Sequence, residues 1–374
     1  MHSISHTPAT DPSTEPEALI KEARQRRRRR WLVATVAVVV TAAAAAVAAT
    51  GVLAGSGSGT GARPSPSSQS EPTAPARAPA LVTVSETHLP KGSSLSLAVG
   101  YGAVWVTGRG VTYEVSEATG RIVRTIRTPG TIPEGCSTDV AAGAGGVWVT
   151  HFCRGVYRID PHSGRVIASL RVPDAGDSIA VADGLVWVAN YHGKVLRIRP
   201  RTGRIVGKPI AVGYGSWTLT PGAGALWVTS FGVRGLRPVS RIDLATGAVR
   251  RFGKATVTDI QAVGAGSLWT SQVQRVSPAT GKPTASIRVP GPALVAFWKG
   301  YAWALVEVPR SIEVLQIDPA TNRVTGAPVR VGKPLPARLL DSEGVAMTAG
   351  PTGLWVLDFT RGLLFHLALR SAAR

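Results

Sequence analysis

Two histidines and one glutamate, each a short distance after a recurring tryptophan, are the residues of this sequence best suited to catalysis. His151 follows Trp148 by three positions, and His192 and Glu307 follow other tryptophans by five and four positions. A neutral imidazole or a carboxylate can take a proton from a substrate, so these three residues are candidate general bases. No spacing in the sequence pairs them. We therefore assign no catalytic residue and keep the three as an alternative.

Metal and cofactor chemistry has little support in the residue pattern. The 374-residue sequence contains seven histidines and two cysteines. The cysteines do not form the paired Cys-x-x-Cys pattern of zinc sites, and His2, His6 and His88 do not have the spacing of metal ligands. We expect no metal and no cofactor.

The candidate bases lie in a sequence that repeats itself. An apolar residue followed by tryptophan recurs seven times, at Trp105, Trp148, Trp187, Trp227, Trp269, Trp303 and Trp355. The mean spacing of about 42 residues is the period of a four-stranded propeller blade. The sequence therefore predicts an all-β fold, a seven-bladed β-propeller over residues 81–374, in which each tryptophan fills the wedge between neighbouring blades.

One repeat, residues 178–211, shows the four strands of a blade. SIAVAD, LVWVAN, KVLRIRP and RIVGKPIAV are expected to form strands a, b, c and d. Turn residues separate them, with Asp183-Gly184 between a and b and Arg201-Thr202-Gly203 between c and d. The last position of the c–d turn recurs as Gly120, Gly164, Gly203, Gly247, Gly281 and Asn322. These are the residues that best tolerate positive φ.

The two ends of the repeat array are complementary. The seventh copy stops after three strands, whereas LVTVSETHL at 81–89 is a strand pattern with no blade around it. Because ring closure removes exposed sheet edges, we predict that residues 81–87 pair beside the 362–370 strand.

The chain before the repeats has three parts. Residues 1–30 form a basic polar tail expected to be disordered, residues 31–55 lack charge, and residues 56–80 form a Gly/Ser/Pro-rich linker. An uncharged, mainly apolar stretch of 25 residues can span a bilayer as one helix, and Arg26–Arg30 before it predict an N-terminus in the cytoplasm. The expected localisation is a single-pass anchor in the cell membrane with an extracytoplasmic propeller. A cleaved secretory signal is the alternative.

The propeller region is itself basic. Residues 81–374 carry 33 Lys and Arg against 17 Asp and Glu, within a formal net charge of +20 for the chain. Association with anionic surfaces or ligands is one interpretation. A surface that is merely soluble is the other, and no nucleic-acid partner is expected.

The two cysteines fall on one predicted hairpin. Pairing of 138–142 with 147–152 about the Gly143–Gly146 turn sets Cys136 directly opposite Cys153. Directly opposite Cβ atoms lie about 4.5–5.5 Å apart, which is within adjustment of disulfide geometry. We predict a Cys136–Cys153 disulfide, since an extracytoplasmic location favours oxidation.

The strings DSIAVADGLVWVAN (177–190) and GSWTLTPGAGALWVTS (215–230) resemble the seven-bladed propellers of the YVTN, NHL and virginiamycin B lyase-like group. The resemblance implies a scaffold for binding or protein interaction. The lyase-like enzymes use a His, a Glu and a divalent metal to open a cyclic depsipeptide, and a Glu recurs after their tryptophans. Here the strings are WVTG, WVTH, WVAN, WVTS, WTSQ, WALV and WVLD, so that Glu is absent.

A binding site is expected on the propeller face made by the d–a and b–c loops, which we call the loop face. An aromatic and polar concavity there suits a small molecule, peptide, glycan or protein. The candidate ligand-binding residues are Trp217, Tyr214, Tyr191, His192, Phe231, Asp177 and Asp259. Trp217 is the leading candidate, with a plug over the channel as its other interpretation. The expected function is a ligand-binding or protein-interaction module. The alternative is a metal-dependent lyase or hydrolase of the virginiamycin B lyase-like type, acting at the channel mouth through His151, His192 or Glu307.

Overall fold

The computed structural model describes most of residues 80–370. The described ranges are 80–90, 96–108, 110–129, 138–151, 154–172, 175–190, 192–213, 216–230, 238–252, 259–333 and 344–370, with the backbone alone at 175–177 and 216–217. They belong to one compact unit, residues 79–374. The predicted tail, the predicted membrane helix and nearly all of the predicted linker lie outside the described residues. Within the described ranges, no helix is long and apolar enough to span a membrane.

Within the described ranges, twenty-nine strands form seven antiparallel sheets, which are the blades of a seven-bladed β-propeller. Blade 1 contains, in the order a to d, β2 Ser96–Gly100, β3 Ala103–Thr107, β4 Val111–Ser116 and β5 Ile122–Arg127. Blade 2 contains β6 Thr138–Gly143, β7 Gly146–His151, β8 Gly155–Ile159 and β9 Val166–Leu170. Blade 3 contains β10 Ala175–Ala182, β11 Leu185–Asn190, β12 Lys194–Arg199 and, at position d, the pair β13 Arg204–Ile205 and β14 Ile210–Ala211.

Blades 4 to 7 follow the same order. Blade 4 contains β15 Ser216–Gly222, β16 Ala225–Ser230, β17 Val239–Asp243 and β18 Val249–Phe252, and blade 5 contains β19 Ile260–Gly264, β20 Ser267–Thr270, β21 Gln274–Val276 and β22 Pro283–Ser286. Blade 6 contains β23 Ala293–Trp298, β24 Tyr301–Val308, β25 Ser311–Asp318 and β26 Arg323–Val331. Blade 7 contains β27 Val345–Ala349, β28 Leu354–Asp358 and β29 Leu363–Leu369.

The outer strand of blade 3 differs from the single strand expected at 204–212. It is split into β13 and β14, both of which pair with β12. Gly207 lies between them with a φ of 65°, and Pro209 has no N–H to donate to the ladder. These two residues interrupt the strand locally.

The remaining strand, β1 Leu81–His88, occupies the fourth position of the last sheet beside β29. The pairing is antiparallel, from Leu81 opposite Leu369 to His88 opposite Leu363, with an irregularity between Thr83 and Ser85. The N- and C-terminal ends of the propeller therefore share one sheet.

The core is divided into seven clusters, each between two consecutive blades and each containing one repeat tryptophan. One cluster joins Trp355 and Leu364 of blade 7 to Val104 and Val115 of blade 1, so the ring is continuous. All seven tryptophans are at most 1% exposed. Burial of each contributes about 2–3 kcal/mol, and the expected wedge role is confirmed.

The turns have the backbone conformation expected from their residues. At the c–d turns, the five glycines have φ between 65° and 73° and Asn322 has a φ of 57°. Six a–b turns are X-Gly pairs with positive φ at both positions, as type I′ hairpins require. Their second residues are Gly102, Gly145, Gly184, Gly224, Gly266 and Gly300. The short turns form one face of the ring, here called the turn face, opposite the loop face.

Candidate functional site

The position three residues after each repeat tryptophan lies at the loop-face end of strand b or within two residues of it. These seven equivalent positions hold Gly108, His151, Asn190, Ser230, Gln272, Val306 and Asp358. The polar residues His151, Asn190, Ser230 and Asp358 are buried there. The framework is uniform, whereas this ring of side chains differs from blade to blade. Gln272 is exposed, and the other six residues form a chemically varied buried layer beneath the loop face.

His151 ends β7 and is fully buried, rather than lying in an open loop. Its ring meets Tyr157 edge-on, with centroids 5.0 Å apart. Within the described part of the chain, neither of its ring nitrogens has a hydrogen-bond partner. Burial, and secondarily the charge of Arg154, lower the pKa of His151 to about 4. The imidazole is therefore neutral near pH 7, with one nitrogen able to donate and the other able to accept.

Other buried hydroxyls near strand ends on this face also lack a hydrogen-bond partner among the described residues, and two of them belong to Thr138 and Ser230. Thr138 lies directly opposite His151 in the β6–β7 pair, and Ser230 ends β16. Neither hydroxyl has a partner among the described residues. Buried polar groups are normally hydrogen-bonded, because an unsatisfied one costs about 1–3 kcal/mol.

Asn190 and Asp358 have local structural roles instead. The Asn190 side-chain oxygen accepts a bond from the Lys194 N–H at 2.9 Å. The Asp358 carboxylate accepts two hydrogen bonds from Arg361, one from the backbone N–H at 2.9 Å and one from the side-chain Nε at 2.6 Å. Both side chains thus hold the turn from strand b to strand c.

The three candidate bases lie on different blades. Glu307 is a residue of β24 in blade 6 whose side chain is exposed overall. Partial desolvation of its carboxyl group and, secondarily, the charge of Asp358 raise its pKa. His192 is exposed after β11 in blade 3, and His151 is in blade 2. The glutamate is thus separated from both histidines by at least two intervening blades. No group of three or more His, Cys, Asp or Glu side chains in the described part of the chain could hold a metal ion.

Asp259 and His192 are the two expected ligand-binding residues whose side chains are described. Asp259 precedes β19 with a φ of 60° and is 8% exposed, so it is more enclosed than a loop residue. Its backbone carbonyl accepts a bond from the N–H of Ser271 at 3.2 Å. This bond connects the start of strand a to the b–c loop within blade 5.

Other expected site residues are described partly or not at all. The backbones of Asp177 and Trp217 lie within strands β10 and β15, not in loops. Trp217 falls where the β15–β16 register shifts between Ser216 and Thr218, as in a β-bulge. The residues outside the described ranges are Tyr191, Tyr214, Phe231, Cys136 and Cys153.

The described part of the cysteine hairpin has the expected register. Thr138 lies opposite His151 and Gly143 opposite Gly146. Continuing that register by two residues would set Cys136 opposite Cys153. The disulfide itself stays a prediction.

Sequence reasoning missed Asp139, an inward carboxylate near the loop-face end of strand a in blade 2. Its Oδ1 accepts bonds from Ser96 Oγ at 2.5 Å and from the Val140 N–H at 2.8 Å. Its Oδ2 accepts a bond from the Ile179 N–H at 3.0 Å. Burial raises the pKa of Asp139, and these bonds oppose the rise. The carboxyl group therefore ties blades 1, 2 and 3 together, and an acid within an apolar strand a was the available signal.

Comparisons with known proteins identify the architecture alone. No protein-family model matches the chain, and no curated protein matches it. Among solved structures, 1254 chains match. One is the crystal structure of the computationally designed Ika8 protein, which is 12% identical over 75% of this chain and 98% of that chain, with a TM-score of 0.54. At such low identity the likeness shows the fold and carries no function.

Proposed function

We propose that this chain is a membrane-anchored, extracytoplasmic propeller of the YVTN, NHL and virginiamycin B lyase-like group that binds a ligand or protein partner on its loop face. The observation that carries the proposal is the contrast between the uniform scaffold and the varied residues near the ends of the b strands. Seven equivalent positions on a uniform scaffold hold seven different residues. A rigid framework with varied side chains at one face is the arrangement that specific recognition needs.

The buried polar groups of blades 2 and 4 support recognition at that face. His151, Thr138 and Ser230 present four nitrogen or oxygen atoms without a partner in the described part of the chain. A bound molecule that displaces the residues covering these buried atoms and supplies donors and acceptors would satisfy them, which makes binding more favourable. We expect the ligand to be polar on the side that meets blades 2 to 4.

Site-specific photocrosslinking of the full chain in its membrane tests the location. A photoreactive phenylalanine analogue would replace His192 or Gln272, which are exposed on the loop face. The matched controls are Ala245 and Ala279, which are exposed at c–d turns on the turn face. We expect adducts, detected by mass, from the first pair alone. Equal labelling from both faces, or labelling from the turn face alone, would contradict the proposal.

The anchor and its orientation are tested separately. Residues 31–55 carry no charge and follow five arginines. In the proposed topology β1, next after the linker, closes the ring, and Arg374 lies outside the cytoplasm. A periplasmic or extracellular reporter fused after Arg374 should be active, and a cytoplasmic reporter inactive. The opposite pattern of reporter activity would reject the proposed orientation, but it would not bear on the proposal that the loop face binds a ligand.

The lyase alternative has one observation in its favour, the neutral and unpartnered imidazole of His151. Against it, His151 and Glu307 lie on blades 2 and 6, which are not neighbours. The assay is ring opening of a cyclic depsipeptide by the full chain with an added divalent metal. Turnover that His151→Asn abolishes would replace the binding proposal with the enzymatic one.

A further inference from the structure

Three outer strands carry the most exposed large apolar side chains of the described part of the chain. They are Val84 of β1, Val123 of β5 and Ile167 of β9, which are 58%, 54% and 50% exposed. Each lies where the register of the outer strand shifts, as in a β-bulge. The corresponding bulge of blade 5 holds Thr284, so the bulge itself does not require an apolar residue.

The c–d turns join these three strands along the outer wall. The Thr87 hydroxyl of β1 donates to the Gly120 carbonyl in the c–d turn of blade 1. The next turn packs on β5, because a Cβ added at Gly164 would lie 2.7 Å from the Arg124 Cδ. Arg124 Nη1 also donates to the Pro161 carbonyl at 3.3 Å. The outer strands of blades 7, 1 and 2 therefore form one continuous strip.

Exposed charge near the c–d turns of this strip is positive. Arg121 and Arg165 directly follow the turns of blades 1 and 2 and are exposed. Asp160 accepts bonds from N–H groups of its own turn, and Glu117 is only 5% exposed. Glu86, the one acid of β1, β5 and β9, lies toward the loop-face end. The exposed apolar and basic residues of the strip, here called the outer patch, are Val84, Arg121, Ile122, Val123, Arg165 and Ile167.

The described chain enters the propeller beside the outer patch. β1 begins at Leu81, opposite Leu369 near the turn-face end of β29, and the Arg370 N–H donates to the Ala80 carbonyl at 2.7 Å. In the proposed function, residues 56–80 connect this point to the membrane anchor. A flexible chain of 25 residues has an end-to-end distance of about 25–30 Å. Such a tether keeps the entry side of the propeller close to the bilayer.

We propose that the outer patch docks on a bilayer surface that carries anionic phospholipids. Exposed apolar side chains and arginines favour such a surface together, because binding strengthens with buried apolar area and with attraction to anionic headgroups. The inference rests on the proposed function for the presence of the membrane. It adds which side of the propeller meets the lipid, and it leaves the loop face open to a ligand.

Photocrosslinking to lipid tests the contact. The full chain is placed in nanodiscs that contain phosphatidylglycerol, with a photoreactive phenylalanine analogue replacing Val123 or, in a second variant, Val84. The control replaces Val324, an exposed outer-strand residue of blade 6. We expect lipid adducts, detected by mass, at least tenfold more from Val123 and Val84 than from Val324. In nanodiscs of phosphatidylcholine alone, we expect at least fivefold fewer adducts from Val123.

The contribution of the arginines is tested by Arg121→Gln with Arg165→Gln. The matched control is Lys282→Gln with Arg323→Gln, which removes the same charge at the same position after the c–d turns of blades 5 and 6. We expect at least fivefold fewer lipid adducts from Val123 in the first variant and less than a twofold change in the second. Melting temperatures check that each variant is folded.

The results that would overturn the proposal are equal adduct yields from Val123 and Val324, equal yields in the two lipids, and equal losses in the two charge variants. A crosslink to a second copy of the chain in place of lipid would also overturn it.

Retention of the chain in the nanodiscs at about 0.5 M salt, which screens surface charge, reports the anchor separately. A retained chain without lipid adducts at Val123 or Val84 overturns the docking proposal and leaves the anchor in place. A chain that is not retained rejects the anchor, and the same adduct ratios measured on phosphatidylglycerol vesicles then decide the docking proposal.

Discussion

His366 lies flat against Trp355, with ring centroids 4.1 Å apart and ring planes 3° from parallel. Both side chains are buried. In blades 2 to 5 the residue opposite the repeat tryptophan on strand c is an arginine, namely Arg158, Arg197, Arg241 and Arg275. Blade 7 replaces that arginine with a stacked imidazole.

The a–b turn of the same blade also differs. Six tryptophan indoles donate to the carbonyl five residues earlier at 3.0–3.1 Å. The Trp355 indole N–H has no partner within the described ranges. Its turn residues are Pro351 and Thr352, and proline cannot adopt the positive φ of a type I′ turn. We infer that this different turn leaves the Gly350 carbonyl out of reach, and that the His366 stack substitutes for the missing bond.

Removal of the stack should destabilise the propeller. His366→Ala takes away a buried ring contact and leaves a cavity, so we expect a loss of about 2–4 kcal/mol in the free energy of unfolding. Chemical denaturation of the purified chain measures it. His162→Ala, at an exposed c–d turn, is the control and should change stability by less than about 0.5 kcal/mol. Equal losses in the two variants would refute the role of the stack.

Acid should destabilise the protein through His151. Its folded-state pKa is about 4, whereas an unfolded histidine titrates near 6.5. As the pH falls, the unfolded state takes up the proton first. The stability is therefore full above about pH 6.5 and declines by about 2–3 kcal/mol toward pH 4.

Denaturation curves between pH 7 and pH 4 test this dependence. His151→Phe preserves an aromatic ring beside Tyr157 and removes the titrating group, so its stability should fall less steeply over that range. Burial also lowers the pKa of His366, which leaves a residual slope in that variant. Identical slopes in the unmodified chain and in His151→Phe would show that His151 does not govern the response.

The N-terminal strand should stabilise the ring. Leu81 is 5% exposed and packs in the cluster between blades 6 and 7, whereas Val84 on the same strand is 58% exposed. Leu81→Ala should cost about 2–4 kcal/mol, and Val84→Ala should cost little. A chain that begins at residue 95 should melt well below one that begins at residue 78. Similar melting of the two truncated chains would mean that β1 is dispensable.

Arginines between blades should act as cross-links. Arg275 Nη1 donates to the Pro319 carbonyl at 2.5 Å and to Asn322 Oδ1 at 2.8 Å, both in the next blade. Its guanidinium also lies 5.5 Å from the centre of the Trp269 ring. Arg275→Met should lower the free energy of unfolding by about 2–3 kcal/mol. Arg251→Met, at an exposed outer position, is the control, and a comparable loss there would argue for a general charge effect.

The cysteine pair has a simple test. If Cys136 and Cys153 are bridged, thiol titration of the unfolded, non-reduced chain should find no free thiol, and reduction should release two. The bridge would close a loop of about 17 residues, so reduction should cost about 2–4 kcal/mol of stability. Two reactive thiols in the non-reduced protein would exclude it.

Local patterns in the sequence determined the architecture. The tryptophan period set the number of blades, and glycine or asparagine marked the turns that need positive φ. The missing strand of the seventh copy and the extra strand before the first predict that the N-terminal strand closes the ring. These features follow from short-range periodicity and turn chemistry, which are written within about 40 residues of chain.

Tertiary structure alone decided the chemistry of individual side chains. His151 has a low pKa because its blade position buries it, and the carboxyl group of Asp139 bonds to residues about 40 positions away on either side. The Trp355 ring stacks on His366, and its indole N–H lacks the carbonyl bond that the other six repeat tryptophans make. Burial, charge balance and hydrogen-bond partners arise from neighbours in space, and a sequence pattern does not specify those neighbours.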